Sequence, residues 1–238
     1  MTDQKITPSL ASSQSSAFLQ GEGDRYFTRN FAKYSANAPH LTLPVLELAL
    51  DVIEAAIRGN PTSAGPPPAA LEVGCANGLL LNRLCSRLQC EGYGIDPSAE
   101  AISDGTRRFP SLKLGVGTGE SLPYVDGRFD YVLLGFFLYL LQDTHYLTAL
   151  AEANRVLRPG GFLIFVDFDH PNTSKRPYAH RGSVASYRHR ALDVLTATRI
   201  YSLVAKWPVG TFAFDPFQRV SLSLLFREPD AYPLIAEG

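Results

Sequence analysis

The chemistry of this chain starts at a glycine-containing turn with a carboxylate in front of it, Glu72-Val73-Gly74-Cys75-Ala76-Asn77-Gly78. Glycines between a strand and a helix let a ligand come close to the backbone. The ligand is not expected to be a dinucleotide. The G-x-G-x-x-G fingerprint wants glycine at 76 and 79, where Ala76 and Leu79 stand. A P-loop is excluded, because no Gly-Lys-Ser/Thr follows. Glu72, two residues before Gly74, suits a cationic ligand better than a phosphate. Eighteen residues beyond Gly78, the run Tyr93-Gly94-Ile95 ends in Asp96-Pro97. A carboxylate at the end of a second strand can accept both hydroxyls of an adenosine ribose. Its competing role is a helix N-cap, since Ser98 and Glu100 open a helix.

Further on, Phe136, Phe137, Leu138 and Tyr139 form an aromatic group suited to a cation. Phe137 and Leu138 read better as ordinary core, and the Tyr139 hydroxyl needs a partner. Asp167-Phe168-Asp169-His170 offers a candidate general base in His170, oriented by either aspartate, because imidazole titrates near neutral pH. His180, Arg181, Tyr187, Arg188, His189 and Arg190 follow. They read as a lid gripping an anionic group, or as a solvated basic surface. His180 is a further candidate to act on substrate. No metal site is expected: His170, His180 and His189 are loosely spaced, with no acidic residue inside the run they belong to.

These residues need a sheet to position them. Short apolar runs at 70–73, 92–95, 112–116, 129–134 and 162–168 alternate with helical stretches at 78–88, 98–109 and 144–157. That alternation predicts a parallel sheet with helices on both faces. Two more strands are expected at 199–206 and 219–226, with an aromatic-rich turn at 207–218. A helix is expected at 43–58, followed by a proline-rich link at 66–68. Residues 1–20, rich in Ser, Thr and Gln, read as a mobile arm or one that orders over a ligand. A short aromatic helix is expected at 25–34. Residues 169–190 break the rhythm, and a long polar excursion of this kind is usually functional or disordered.

Composition narrows the function. The chain has 238 residues, 45% of them hydrophobic, and a net charge of -1, so it carries no field to draw in nucleic acid. Three cysteines at 75, 85 and 90 cannot all pair and match no zinc pattern. No signal peptide or spanning segment is read, so a cytoplasmic location without membrane attachment is expected.

LEVGCANG (71–78), YGIDPS (93–98), VGTGESLPYVDGRFDYVLLGFFLYLL (116–141) and EANRVLRPGGFLIFVDF (152–168) together resemble the class I S-adenosylmethionine-dependent methyltransferases. The resemblance covers roughly residues 69 to 168. It implies an α/β, Rossmann-like, doubly wound fold with a mostly parallel seven-stranded sheet whose last strand is antiparallel. It also implies roles for residues. Glu72, Gly74, Cys75, Ala76 and Gly78 would pass the methionine part of S-adenosyl-L-methionine. Asp96 and Pro97 would hold the ribose, Gly119 and Glu120 would lie by the adenine, and Gly135 would open the cleft. Two departures are Ala76, where many relatives have glycine, and Thr118, where many have an acidic residue.

The expected organisation is an arm at 1–40, with 18–40 folding over the cofactor cleft and Tyr26 against the cofactor. A methyltransferase domain at 41–238 follows, with a substrate lid inserted at about 169–190. The expected activity is methyl transfer to an oxygen or nitrogen of a small molecule, with a carboxylate oxygen as one option. The alternative is a protein that binds S-adenosylmethionine but transfers no methyl group. An RNA or protein substrate is disfavoured by the neutral charge and by Leu134-Gly135-Phe136-Phe137 in place of an Asn-Pro-Pro-Tyr-like tetrapeptide.

Overall fold

Seven strands run side by side in a computed structural model that describes residues 13–30, 42–59, 67–182, 184–209 and 219–230. The described part begins with helix α1 (Ser13–Ala17), a kink within Phe18–Glu22 where Gly21 takes φ +114°, and α2 (Gly23–Asn30), then the longer α3 (Leu43–Gly59). Next come β1 (Ala69–Val73), α4 (Leu79–Leu88), β2 (Glu91–Asp96), α5 (Ala99–Arg108), β3 (Lys113–Val116) and β4 (Phe129–Leu134). They are followed by α6 (Asp143–Val156), β5 (Leu157–Phe168), β6 (Ser174–Pro177), β7 (Ala185–Arg188), α7 (Ala191–Ala197), β8 (Tyr201–Pro208) and β9 (Val220–Arg227).

The sheet order is β3-β2-β1-β4-β5-β9-β8. The first five strands are mutually parallel, and β9 runs antiparallel to both β5 and β8. This is the α/β, mostly parallel sheet with an antiparallel last strand that the sequence implies. After β1 the chain builds outward through β2 and β3, then returns to add β4 on the other side of β1. That reversal opens a crevice at the carboxyl ends of β1 and β4, where ligands of such sheets bind.

Period-two alternation sorts β1 between the two faces. Ala69, Leu71 and Val73 join Phe129, Leu134, Leu150 and Val156 in one core. Ala70 joins Leu46, Leu50, Leu81 and Leu84 of α3 and α4 in the other. Glu72, on that second face, is buried and meets the start of α4.

Two expectations need correction. Within residues 1–20, residues 13–20 are ordered by helices and a turn rather than mobile. The polar Gln14 and Ser15 are buried there, because their side chains are hydrogen-bonded to the core. Residues 169–190 are not an irregular excursion. They hold the antiparallel hairpin β6–β7, with Tyr178, Val184 and Tyr187 buried. These apolar side chains are too widely spaced among charged ones to give a periodic signal. Of the helix expected at 25–34, residues 25–30 lie in α2, and 31–34 lie outside the described residues. Phe31, Tyr34, the rest of 31–40, Pro66, residues 1–12 and most of the turn at 207–218 lie outside the described residues.

Candidate cofactor and substrate site

A cavity of about 490 Å³ opens at the crevice beside β1. Its floor is the turn after β1. Gly74 and Cys75 donate their N–H groups to Ile95 O (2.8 and 3.1 Å), so the turn bends back over the end of β2. Ala76 takes φ +47° and Gly78 takes φ +78°. Alanine thus holds a left-handed conformation that glycine adopts without strain.

Asp96 locks this turn in place. Its Oδ2 accepts from Ala76 N and its Oδ1 from Ser98 N, both at 2.8 Å. Each carboxylate oxygen has a second lone pair for a ligand. Burial pushes the Asp96 carboxyl up to about 6; the two N–H groups pull the other way, and Asp24 adds to the rise. The N-cap role belongs to Ser98, whose side chain accepts from Ala101 N at 3.0 Å. Glu72 accepts from Leu81 N at 3.0 Å, and burial pushes its carboxyl well up, with Asp96 adding to the effect.

Backbone approaches backbone across the crevice. A Cβ on Gly135 would stand 2.6 Å from Gly74 O, and one on Gly74 2.9 Å from Gly135 O. Glycine at both positions is what lets β1 and β4 open side by side into the cavity. Phe137 lines it too, against Gly74 and Gly119, and packs on the core as the sequence reading had it. Leu138 is wholly buried core.

The segment from α1 to α2 forms the opposite wall. Gln14 donates to Leu140 O and to Ala185 O (2.8 Å) and accepts from Ala185 N (3.3 Å). It thereby joins the turn after β4 to β7. The Ser15 hydroxyl donates to Glu120 Oε1. Asp24 accepts from Ser98 Oγ (2.7 Å) and Glu100 N (3.1 Å), fixing α2 to the start of α5. Phe18, Tyr26 and Phe27 present their rings to the cavity.

Every residue assigned to the cofactor in the sequence lines this cavity, except Gly78, which shapes the turn: Tyr26, Glu72, Gly74, Cys75, Ala76, Asp96, Pro97, Gly119, Glu120 and Gly135. Thr118 is there as well. The three candidates for chemistry are not. Tyr139 is buried behind the wall, packed on Phe136 (4.8 Å) and Phe168 (5.3 Å), with its hydroxyl 3.5 Å from that of Tyr26. Burial holds its phenol well above the ordinary range, so it stays protonated.

His170 stands on a separate cavity of about 180 Å³ between β5, β9 and the start of α7. Its Nδ1 lies 2.6 Å from Asn172 O. Asp167 borders the same small cavity but hydrogen-bonds to Phe168 N. Asp169 pairs with Lys206 at 2.6 Å. His180 is exposed, edge-on to Tyr178. His170 precedes the hairpin and faces the smaller cavity, and His180 is exposed between β6 and β7, so neither histidine lines the main cavity.

The lid arginines are elsewhere too. Arg181 donates to Ala17 O at 3.4 Å, and Arg188 is buried over the Phe168 ring. Among the described residues lining the main cavity, the charged ones are Glu72, Asp96 and Glu120, and none is cationic. No group of three or more metal-ligating side chains occurs among the described residues, and none of their helices is long and apolar enough to cross a membrane.

Sequence reasoning missed Gln14, Ser15, Phe18 and the far apolar wall of Val166, Val209 and Val220. Gln14 and Ser15 carried no signal, because polar residues near a terminus look solvated. Val166 and Val220 were legible only as strand residues.

Residues 71–165 match the family model described as Methyltransferase domain. A demethylmenaquinone methyltransferase of Staphylococcus aureus is 37% identical over 107 residues, which is 43% of this chain and 44% of that protein. One from Staphylococcus saprophyticus is 37% identical over 86 residues, 36% of its length. These matches span less than half the length of the curated relatives. Among solved structures, the N-methyltransferase NodS of Bradyrhizobium japonicum, in complex with S-adenosyl-l-homocysteine, superposes with a TM-score of 0.61 at 19% identity, over 88% of this chain and 98% of that one. The 1,6-didemethyltoxoflavin-N1-methyltransferase of Burkholderia thailandensis gives 0.63 at 15% identity, over 95% and 93%. At these identities the structures speak for the fold. Residues 71–165 thus match a methyltransferase domain, and they lie on the fold that these two structures share.

Proposed function

We propose that the protein transfers a methyl group from S-adenosylmethionine to an oxygen or nitrogen of a small molecule. The observation that carries this reading is the cavity at the β1–β4 switch point, lined by three carboxylates and aromatic rings with no described cation. Such a lining suits a sulfonium, and its apolar part suits a neutral acceptor. The small-molecule names of the curated relatives and of the toxoflavin enzyme support the acceptor class.

Bound S-adenosylmethionine supplies an electrophilic methyl on a positively charged sulfur. The chain's own residues position and shield. Asp96 would accept from the ribose hydroxyls, and Gly74 with Gly135 would let the methionine portion approach the backbone. Phe18, Tyr26 and Phe137 would exclude water from the reacting centre. Aligned reactants make displacement effectively unimolecular, which supplies much of the rate.

The reading is tested by incubating the protein with methyl-labelled S-adenosylmethionine and a small-molecule extract. Label moving into the small-molecule fraction supports it. Tight cofactor binding with no label transferred to any fraction favours the binding-only alternative.

A further inference from the structure

Glu120 differs from the other two carboxylates of the cavity. Asp96 is engaged by two backbone N–H groups and Glu72 by one. Glu120 receives none. Its Oε1 accepts from the Ser15 hydroxyl and lies 3.6 Å from His145 Nδ1, and its buried Oε2 has no hydrogen-bond partner. Glu120 is 4% exposed. A buried carboxylate oxygen without a donor costs free energy, and the cost is removed when a donor arrives. The wall beside it is apolar, with Phe18, Leu140 and Leu141 from the arm and the turn after β4.

We propose, resting on the methyltransferase reading, that Glu120 determines acceptor class. The site takes a neutral, largely apolar molecule bearing an O–H or N–H, which donates to Glu120, and it rejects carboxylates and phosphates. Two effects act together. An anionic acceptor meets Asp96 and Glu120 with no lysine or arginine among the described residues lining the cavity, and like charges in a water-poor site repel strongly. A neutral O–H or N–H fills the vacant acceptor position. In the transfer itself the acceptor atom's lone pair forms the bond to the methyl carbon, and the carbon–sulfur pair stays on sulfur. The acceptor's proton passes to Glu120, so charge and atoms balance. Glu120 was expected to lie by the adenine; its tie to Ser15 and the arm favours the acceptor side.

The experiment uses the full chain saturated with S-adenosylhomocysteine and two probes sharing one apolar body, 2-naphthol and 2-naphthoate, with binding read by titration. Naphthol is expected to bind at least tenfold more tightly than naphthoate. Glu120→Gln should shrink that gap to about threefold or less, and Glu120→Asp, which keeps the charge, should retain it. Equal or tighter binding of naphthoate to the unaltered protein, a gap untouched by Glu120→Gln, or no millimolar binding of either probe overturns the proposal. If Glu120→Gln does not fold, the naphthol-to-naphthoate ratio of the unaltered protein decides. Failure of S-adenosylhomocysteine to bind at the outset would instead bring down the methyltransferase reading itself.

Discussion

Replacing Asp96 by asparagine probes the cofactor site where its electrostatics are most explicit. The carboxyl accepts from Ala76 N and Ser98 N and is pushed up to about 6 by burial. A ribose whose hydroxyls donate to Asp96 favours the ionised form. Affinity should therefore rise with pH through about 6 and level off above it. At pH 5, one unit below, protonation competes by about tenfold. Asparagine has one acceptor oxygen where aspartate has two. One backbone N–H loses its partner and the ligand loses a charged acceptor. A hydrogen bond to a charged group contributes about 1.5–3 kcal/mol, so the dissociation constant should rise about 10–100-fold at pH 7.5. The fold should change little, because removing the buried charge offsets the unpaired N–H. Calorimetric titration of S-adenosylhomocysteine at pH 5, 6 and 7.5 reads both effects. An unchanged affinity in Asp96→Asn, or a pH dependence near 6 that persists in it, would refute the reasoning.

Gly135→Ala places a methyl group 2.6 Å from Gly74 O, where backbone must move. It should destabilise the protein by about 1–3 kcal/mol and abolish cofactor binding, and an unchanged melting curve and titration would contradict this. Gln14→Ala strips partners from the Leu140 and Ala185 backbone; S-adenosylhomocysteine should dissociate several-fold faster by stopped flow, and an unaltered off-rate would separate the arm from the cavity. His170→Ala and His180→Ala should leave cofactor affinity within about twofold, since neither lines the cavity, and a larger loss by titration would place one of them in it. Asp96 and Asp167 are pushed up to about 6 and about 7 by burial. Both bind protons more tightly folded than unfolded, so stability is full below about pH 4 for these groups and falls as pH rises through 7. Urea unfolding should show a loss of about 2–4 kcal/mol between pH 5 and 8, and a flat or rising profile would show that neither aspartate is so perturbed.

The sheet and the cofactor turn were legible in the sequence because both obey local rules. Strands buried on two faces, such as β4, read as continuous apolar runs, and Gly74, Gly78 and Asp96 sit where strand ends must meet a ligand. The wall that Gln14 and Ser15 build opposite the turn was not legible, because it depends on contacts between distant parts of the chain. Ser15 meets Glu120 across 105 residues, and Gln14 meets Ala185 across 171. His170 and His180 follow β5 closely in sequence, yet His170 faces the smaller cavity between β5 and β9, and His180 sits exposed between β6 and β7. Proximity along the chain to the carboxyl end of a strand did not place them at the ligand.

The central claim is that the cavity beside β1 is built for S-adenosylmethionine and not for a dinucleotide. Calorimetric titration of the unaltered chain with S-adenosylmethionine and, separately, with NAD tests it most directly. The account predicts one S-adenosylmethionine bound per chain with a dissociation constant on the order of micromolar, about -8 kcal/mol, and no heat from NAD. Tight NAD binding with no S-adenosylmethionine binding would contradict it.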